Sequence, residues 1–343
     1  VALAAALIDV ESVSGDEARI AEMIESALGS QASHLQIDRI GNSIVARTTG
    51  SKPERVILAG HIDTVPISGN VPSRFEGDLL FGCGASDMKS GVALQLHLAA
   101  SLTDPNREIT FIFYECEEVE AERNGLNRIA REAPGLLAGD FAVLLEPTSG
   151  VVEGGCQGTM RAEVRTRGQR AHSARAWLGE NAIHGAAEIL ELLREFEPRR
   201  VVIDGLEYRE GLQAVAISGG VAGNVIPDEC VVTVNYRFAP DSDEAQATRF
   251  LRRMFDGFAV RIIDSAPGAL PGLSRPAAQE FIARIGGLPA PKFGWTDVAR
   301  FTQLHIPAVN FGPGNPSLAH TVDEYVDINL ISQGAAQLRD WLA

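Results

Sequence analysis

His61 stands two residues ahead of Asp63, at the end of the apolar run Val56-Ile57-Leu58-Ala59-Gly60. An imidazole in that place is a natural metal ligand, and Asp63 can hold its second ring nitrogen. More donors arrive in the same way. The segment Ile109-Thr110-Phe111-Ile112-Phe113-Tyr114 runs into Glu115-Cys116-Glu117-Glu118. Phe141-Ala142-Val143-Leu144-Leu145 runs into Glu146-Pro147, and residues 307–311 run into a Gly/Pro turn and then His320. Asp87 follows the glycine-rich turn Gly82-Cys83-Gly84-Ala85-Ser86. Gathered at one sheet edge, such carboxylates repel by roughly 4 kcal/mol per pair at about 4 Å and an effective dielectric near 20. Divalent cations remove that repulsion. Two histidines with several carboxylates and no thiolate pair suit zinc or a similar ion in a hydrolytic site. Paired ions activate a water and polarise a carbonyl, and the water's proton needs a base. Adjacent Glu117 and Glu118 suit a division of labour, one coordinating and the other free beside the water.

These residues require a scaffold that brings strand ends together. Short continuous apolar runs predict buried strands, and open α/β sheets collect ligands at their ends. A helix is expected over 88–101, carrying Val92, Leu94, Leu96 and Leu98. Ser14-Gly15-Asp16-Glu17 reads as a capping box ahead of a helix with Ile20, Met23, Ile24 and Leu28. From there to about Gly155 strands and helices alternate, the pattern of a doubly wound, mostly parallel α/β sheet. In 160–167 apolar or small residues instead alternate with charges, which predicts an antiparallel strand with one wet face. A helix over 181–196, strands over 212–218 and 229–238, a helix over 243–255 and a strand over 258–263 complete the order βαββαβ. That is a ferredoxin-like α+β unit. After Ala266-Pro267-Gly268 the first pattern resumes and closes on a helix over 328–342. The expectation is a discontinuous catalytic domain, 1–155 and 267–343, with an inserted lid domain, 156–266.

Composition narrows the partners. The 343 residues are 45% hydrophobic and 22% charged, with a net charge of −15 and no basic run. That argues against nucleic acid and against a polybasic membrane anchor. No stretch approaches the ~20 apolar residues of a membrane span, and the short apolar start, 1–8, reads as a packed helix. Cys83, Cys116, Cys156 and Cys230 form no C-x-x-C pair, so buried free thiols in a reducing, cytoplasmic setting are expected. The serine-hydrolase G-x-S-x-G, the phosphate-binding loop and a complete G-x-G-x-x-G are absent. His97, His184 and His305 are assigned to structure.

Taken in order, the motifs Gly60-His61-Ile62-Asp63-Thr64-Val65-Pro66, Gly82-Cys83-Gly84-Ala85-Ser86-Asp87-Met88, Glu117-Glu118, Glu146-Pro147-Thr148 and His320 resemble the M20 family of di-zinc peptidases and deacylases. The resemblance runs through essentially the whole chain, inserted lid included. It implies two Zn2+, replaceable by Co2+. His61, Asp87 and Glu146 would hold the first ion, and Asp87, Glu118 and His320 the second, with Asp87 bridging. Asp63 would orient His61, and Glu117 would be general base and then acid. His172, in the lid, would donate to the oxyanion. Asn224, Arg237 and Arg300 would position the substrate, and Arg175 would read a charged group. Arg237 ends an alternating strand, where a solvated or ion-paired arginine reads equally well. The resemblance also implies a cis peptide between Asp87 and Met88, and a homodimer through the lid in which His172 reaches the partner's metals. The segments Gly154-Gly155-Cys156-Gln157-Gly158-Thr159, 170–179, 224–228 and 294–301 most resemble the actinobacterial succinyl-diaminopimelate desuccinylases. The implied reaction is hydrolysis of N-succinyl-LL-2,6-diaminopimelate, a small N-acyl amino acid. Another deacylase or peptidase of the same family, such as an acetylornithine deacetylase or a dipeptidase, is the alternative. An inactive metal-binding or regulatory homologue is the remote one.

Overall fold

The apolar run before His61 folds as the strand Arg55–His61, buried from Val56 onward. It lies at the centre of an eight-stranded sheet in the computed structural model, which describes residues 1–343. Glu108–Tyr114 runs parallel to it on one side and Phe141–Leu144 on the other. Ala308–Asn310 runs parallel to Phe141–Leu144. Antiparallel strands flank this parallel core: Ser43–Arg47 and Gln36–Ile40 at one edge, and Glu153–Gly154 beyond Ala308–Asn310 at the other. The doubly wound, mostly parallel α/β reading of this part thus describes its centre. Buried strands of this kind carry β-branched and aromatic side chains on both faces, which is why they lack polar alternation.

Register sets the strand ends level. His61 pairs with Tyr114, Ala59 with Leu144, and Leu144 with Asn310. His61 ends its strand, and Glu118 and Glu146 stand two to four residues beyond theirs, while Asp87 and His320 come from longer loops. The helix Lys89–Ser101 begins directly after Asp87 and Met88 and is buried on nearly all sides. It approaches the Phe141–Leu144 strand so closely that a Cβ at Gly91 would stand 2.2 Å from the carbonyl oxygen of Leu145. Glycine there allows Asp87 and Glu146 to approach.

The chain divides into two compact units. The first comprises Val1–Gly155, Pro271–Ala290 and Thr296–Ala343. The second comprises Cys156–Leu270 with Pro291–Trp295. Its four-stranded sheet has the order Gly211–Gly219, Glu229–Phe238, Gly158–Arg167, Ala259–Ala266, every neighbour antiparallel. Gly158–Arg167 shows the expected alternation of buried and exposed residues. Helices Ala182–Glu195 and Glu244–Met254 cover one face, burying Ala182, Ala186, Ile189, Ala247 and Leu251 against Val164, Val232 and Val234. This is the ferredoxin-like order, with one addition. A hairpin, Arg200–Ile203 with Leu206–Arg209, intervenes between helix and strand. No helix is long and apolar enough to cross a membrane. All four cysteines are free and buried.

One expected element is corrected. Ser14-Gly15-Asp16-Glu17 does not cap a helix. The helix is Ala18–Gln31, and its N-cap residue, Glu17, makes no side-chain capping bond. A capping box needs Ser14 to accept from the helix start, but its Oγ donates to Asp63 Oδ2 instead, at 2.7 Å.

Candidate metal centre

The strand ends and the loops after them bring six side chains together. Ligand atoms of His61, Asp87 and Glu146 lie within 4.8 Å of one another, and so do those of Asp87, Glu118 and His320. Asp87 belongs to both trios. Its Oδ1 is 3.1 Å from His61 Nε2, and its Oδ2 is 3.6 Å from His320 Nε2. His320 Nε2 also meets Glu118 Oε1 at 2.8 Å. His61, Glu117 and Glu118 form a further overlapping trio. The peptide bond between Asp87 and Met88 is cis, and His320 has a left-handed backbone with φ of 64°.

Asp63 is fully buried behind His61. The Nδ1 of His61 lies 3.1 Å from the backbone carbonyl of Asp63 and 3.5 Å from its carboxylate. That carboxylate receives the backbone N–H of Glu117 on Oδ1 at 3.0 Å, and on Oδ2 the N–H of Glu118 at 3.1 Å and the Ser14 hydroxyl. Burial works against its charge, yet the bonds from His61, Ser14 and the Glu117 N–H hold its pKa below the usual carboxylate range. Glu324 anchors the other side. Its carboxylate accepts the N–H groups of Gly84, Ser86 and Asp87 at 2.8–3.0 Å, tying the loop of Asp87 to the loop of His320.

The electrostatics show what this cluster lacks. Burial first, then the carboxylates of Glu118, Glu146 and Asp297, push Glu117 well above the usual range against the pull of His61. Burial disfavours a charged His61, but Asp63, Asp87 and Glu146 raise its pKa well above the ordinary value. The bond to Glu118 lifts His320 to about 9. Around His61 and His320 the neighbouring carboxylates outweigh burial, a concentration of negative charge that cations would offset. Oxygen and imidazole donors in two trios sharing one carboxylate fit two divalent ions.

The other candidates lie as follows. His172 is exposed, and its Nδ1 accepts the N–H of Ala174. Its loop is joined to that of Asn224 through the Ser173 N–H, and Arg175 sits in the same turn. Arg237, on the strand Glu229–Phe238, is partly buried, and burial lowers its pKa. Arg300 donates its Nε to the buried Asp297, which also accepts from Asn124. Sequence reasoning gave Ser14, Glu17, Asp297 and Glu324 no part in the site. Glu324 left one signal, an acid four residues after His320 where the chain returns to the sheet.

The sequence profile of Peptidase family M20/M25/M40 matches residues 57–343. The chain belongs to this family. A Mycobacterium tuberculosis protein provisionally named succinyl-diaminopimelate desuccinylase is 54% identical over 99% of this chain and 97% of its own length. The Corynebacterium glutamicum succinyl-diaminopimelate desuccinylase is 45% identical over 98% of this chain and 94% of its own. Among solved structures, a Staphylococcus aureus tripeptidase shares the M20 fold with a TM-score of 0.80 at 20% identity, covering 99% of this chain and 96% of that one.

Proposed function

We propose that this M20 enzyme hydrolyses the amide bond of N-succinyl-LL-2,6-diaminopimelate to succinate and LL-2,6-diaminopimelate, a step toward lysine and cell-wall precursors. The observation that carries the substrate is the end-to-end likeness to two actinobacterial relatives named for that activity. Two divalent ions belong to the proposal, zinc in the first place and cobalt as a substitute. His61, Asp87 and Glu146 would hold one, and Asp87, Glu118 and His320 the other. When bound, such ions act as Lewis acids and make water a nucleophile near neutral pH.

The chain's own residues do the rest. Glu117 takes the proton of the attacking water and delivers it to the leaving amine. Asp63 fixes the backbone on which Glu117 turns, and Glu117 itself is half-buried beside the metal ligands. His172 donates to the oxyanion. Arg175, Asn224, Arg237 and Arg300 position the substrate's carboxylates and amine. The guanidinium of Arg237 is partly buried at a cost to its charge, which an anionic partner would offset.

A homodimer through the second unit completes the reading, with His172 serving the partner's site. The outer strand Gly211–Gly219 supports it: this edge exposes Val215 (58%) and Ile217 (53%), and the adjoining helix Ala182–Glu195 exposes Ile183 and Leu190. An apolar open edge of this kind needs cover. A cytoplasmic setting suits four free thiols.

The deciding experiment offers N-succinyl-LL-2,6-diaminopimelate and N-acetylornithine to the zinc-loaded enzyme side by side. Succinate release is expected to exceed acetate release by more than about 100-fold in kcat/KM. The reverse preference would make the chain a sibling deacylase.

A further inference from the structure

The Ser14-Gly15-Asp16-Glu17 turn makes no capping box, and its Ser14 and Glu17 side chains turn inward while Asp16 stays exposed. Glu17 is fully buried. Its Oε1 accepts the N–H of Gly15 at 2.8 Å, and both the N–H and the thiol of Cys116 at 3.2 Å. Its Oε2 is buried without a partner. Burying a carboxylate is expensive, so its retention calls for a task.

Cys116 shows the task. It has a left-handed backbone, φ 57°, which a residue with a Cβ adopts only where its surroundings impose it. Directly after this turn the N–H groups of Glu117 and Glu118 swing onto Asp63. Ser14 donates to the same carboxylate. The 14–17 turn therefore grips the Glu117 loop twice, through the residue before Glu117 and through the acceptor of its own N–H. Donor atoms of Glu17, Glu115 and Cys116 also lie within 4.8 Å of one another. A cation there is not needed: the thiol donates to Glu17, and Arg128 pairs with Glu115.

We propose that Glu17 is a positioning residue for Glu117, holding Cys116 in the left-handed turn that aims the base. The inference rests on the reading of Glu117 as base. Glu17→Asp withdraws the acceptor from Cys116 while keeping its charge. In the zinc-loaded enzyme it lowers kcat about 10- to 100-fold, with KM within about twofold and two ions retained per chain. Glu17→Gln keeps Oε1 for the two N–H donors and restores kcat to within about threefold. A kcat within twofold for Glu17→Asp overturns the proposal, as does a loss that tracks metal content or a glutamine variant no better than the aspartate. Should Glu17→Asp fail to fold, Cys116→Val decides. Its branched side chain resists the left-handed backbone with Glu17 in place, so kcat falls by the same order with both ions kept, and an unchanged kcat overturns the proposal. Glu117→Gln, run alongside, separates the failures. If it turns over, the base assignment is wrong. If it is dead while Glu17→Asp is normal, only the role of Glu17 is.

Discussion

Asp63 accepts the backbone N–H of Glu117 at 3.0 Å, so the carboxylate behind His61 also fixes the chain beneath the proposed base. Metal-site and base geometry are thereby coupled through one buried acid. Asp63→Asn turns one acceptor oxygen into a donor facing N–H groups. A fall of about 10- to 100-fold in kcat/KM is expected from initial rates of succinate release. Less than a threefold change would show that the coupling does not matter.

Glu117 and Glu118 separate by role. Glu117→Gln should keep two zinc ions by elemental analysis and lose most turnover, about 100- to 10,000-fold. Glu118→Ala should lose the second ion. Chelation should abolish activity in the native enzyme, with zinc or cobalt restoring it. Equal metal loss in both variants would reverse the assignment of the two acids.

The trans role of His172 has a direct test. Mixing His172→Ala with Glu117→Gln subunits and letting them exchange should restore activity, because the mixed dimer holds one site with both residues intact. No recovery after subunit exchange has been verified would place His172 on its own chain's site or outside catalysis.

A pH test concerns stability away from the site. Burial works to raise the pKa of Glu108, but Thr48, the Lys52 and Gly50 N–H groups and Arg55 outweigh it and hold it below the usual value. A depressed carboxyl stabilises the fold above its unfolded pKa, about 4.3, and that contribution fades as pH falls through the folded value. Glu108→Gln should therefore cost about 1–3 kcal/mol near neutral pH, and the gap in Tm to the native protein should shrink below about pH 4. A gap that widened on acidification would reverse the sign of this argument.

The sequence makes the parallel core legible because three apolar runs lead directly into residues with chemistry and a fourth into a Gly/Pro turn ahead of His320, and strand register then sets the strand ends level. The alternation of 160–167 likewise foretells a sheet with one wet face. The Ser14–Glu17 turn is not legible in the same way. Its spacing matches a local capping pattern, whereas its partners Asp63 and Cys116 stand some 50 and 100 residues away, |i−j| of 49 and 99. The hairpin Arg200–Ile203 with Leu206–Arg209 is not legible because its strands are only four residues each, too short for their alternation to stand out. Glu324 was missed because it binds only backbone N–H groups, which no side-chain pattern reveals.

The interruption of the first unit by the second has a consequence for biosynthesis. Most of the inserted unit, Cys156–Leu270, is one unbroken stretch that leaves the ribosome while the enclosing unit still lacks Thr296–Ala343. Domains fold as they emerge, so the inserted unit can mature first. His320 and its loop partner Glu324 follow the whole of that stretch in the chain and emerge after it. Until they appear, the nascent chain offers His61, Asp87 and Glu146 but not the second trio. The second trio is thus completed late, and a polypeptide stalled before His320 would hold a folded inserted unit and the first trio of donors without the second.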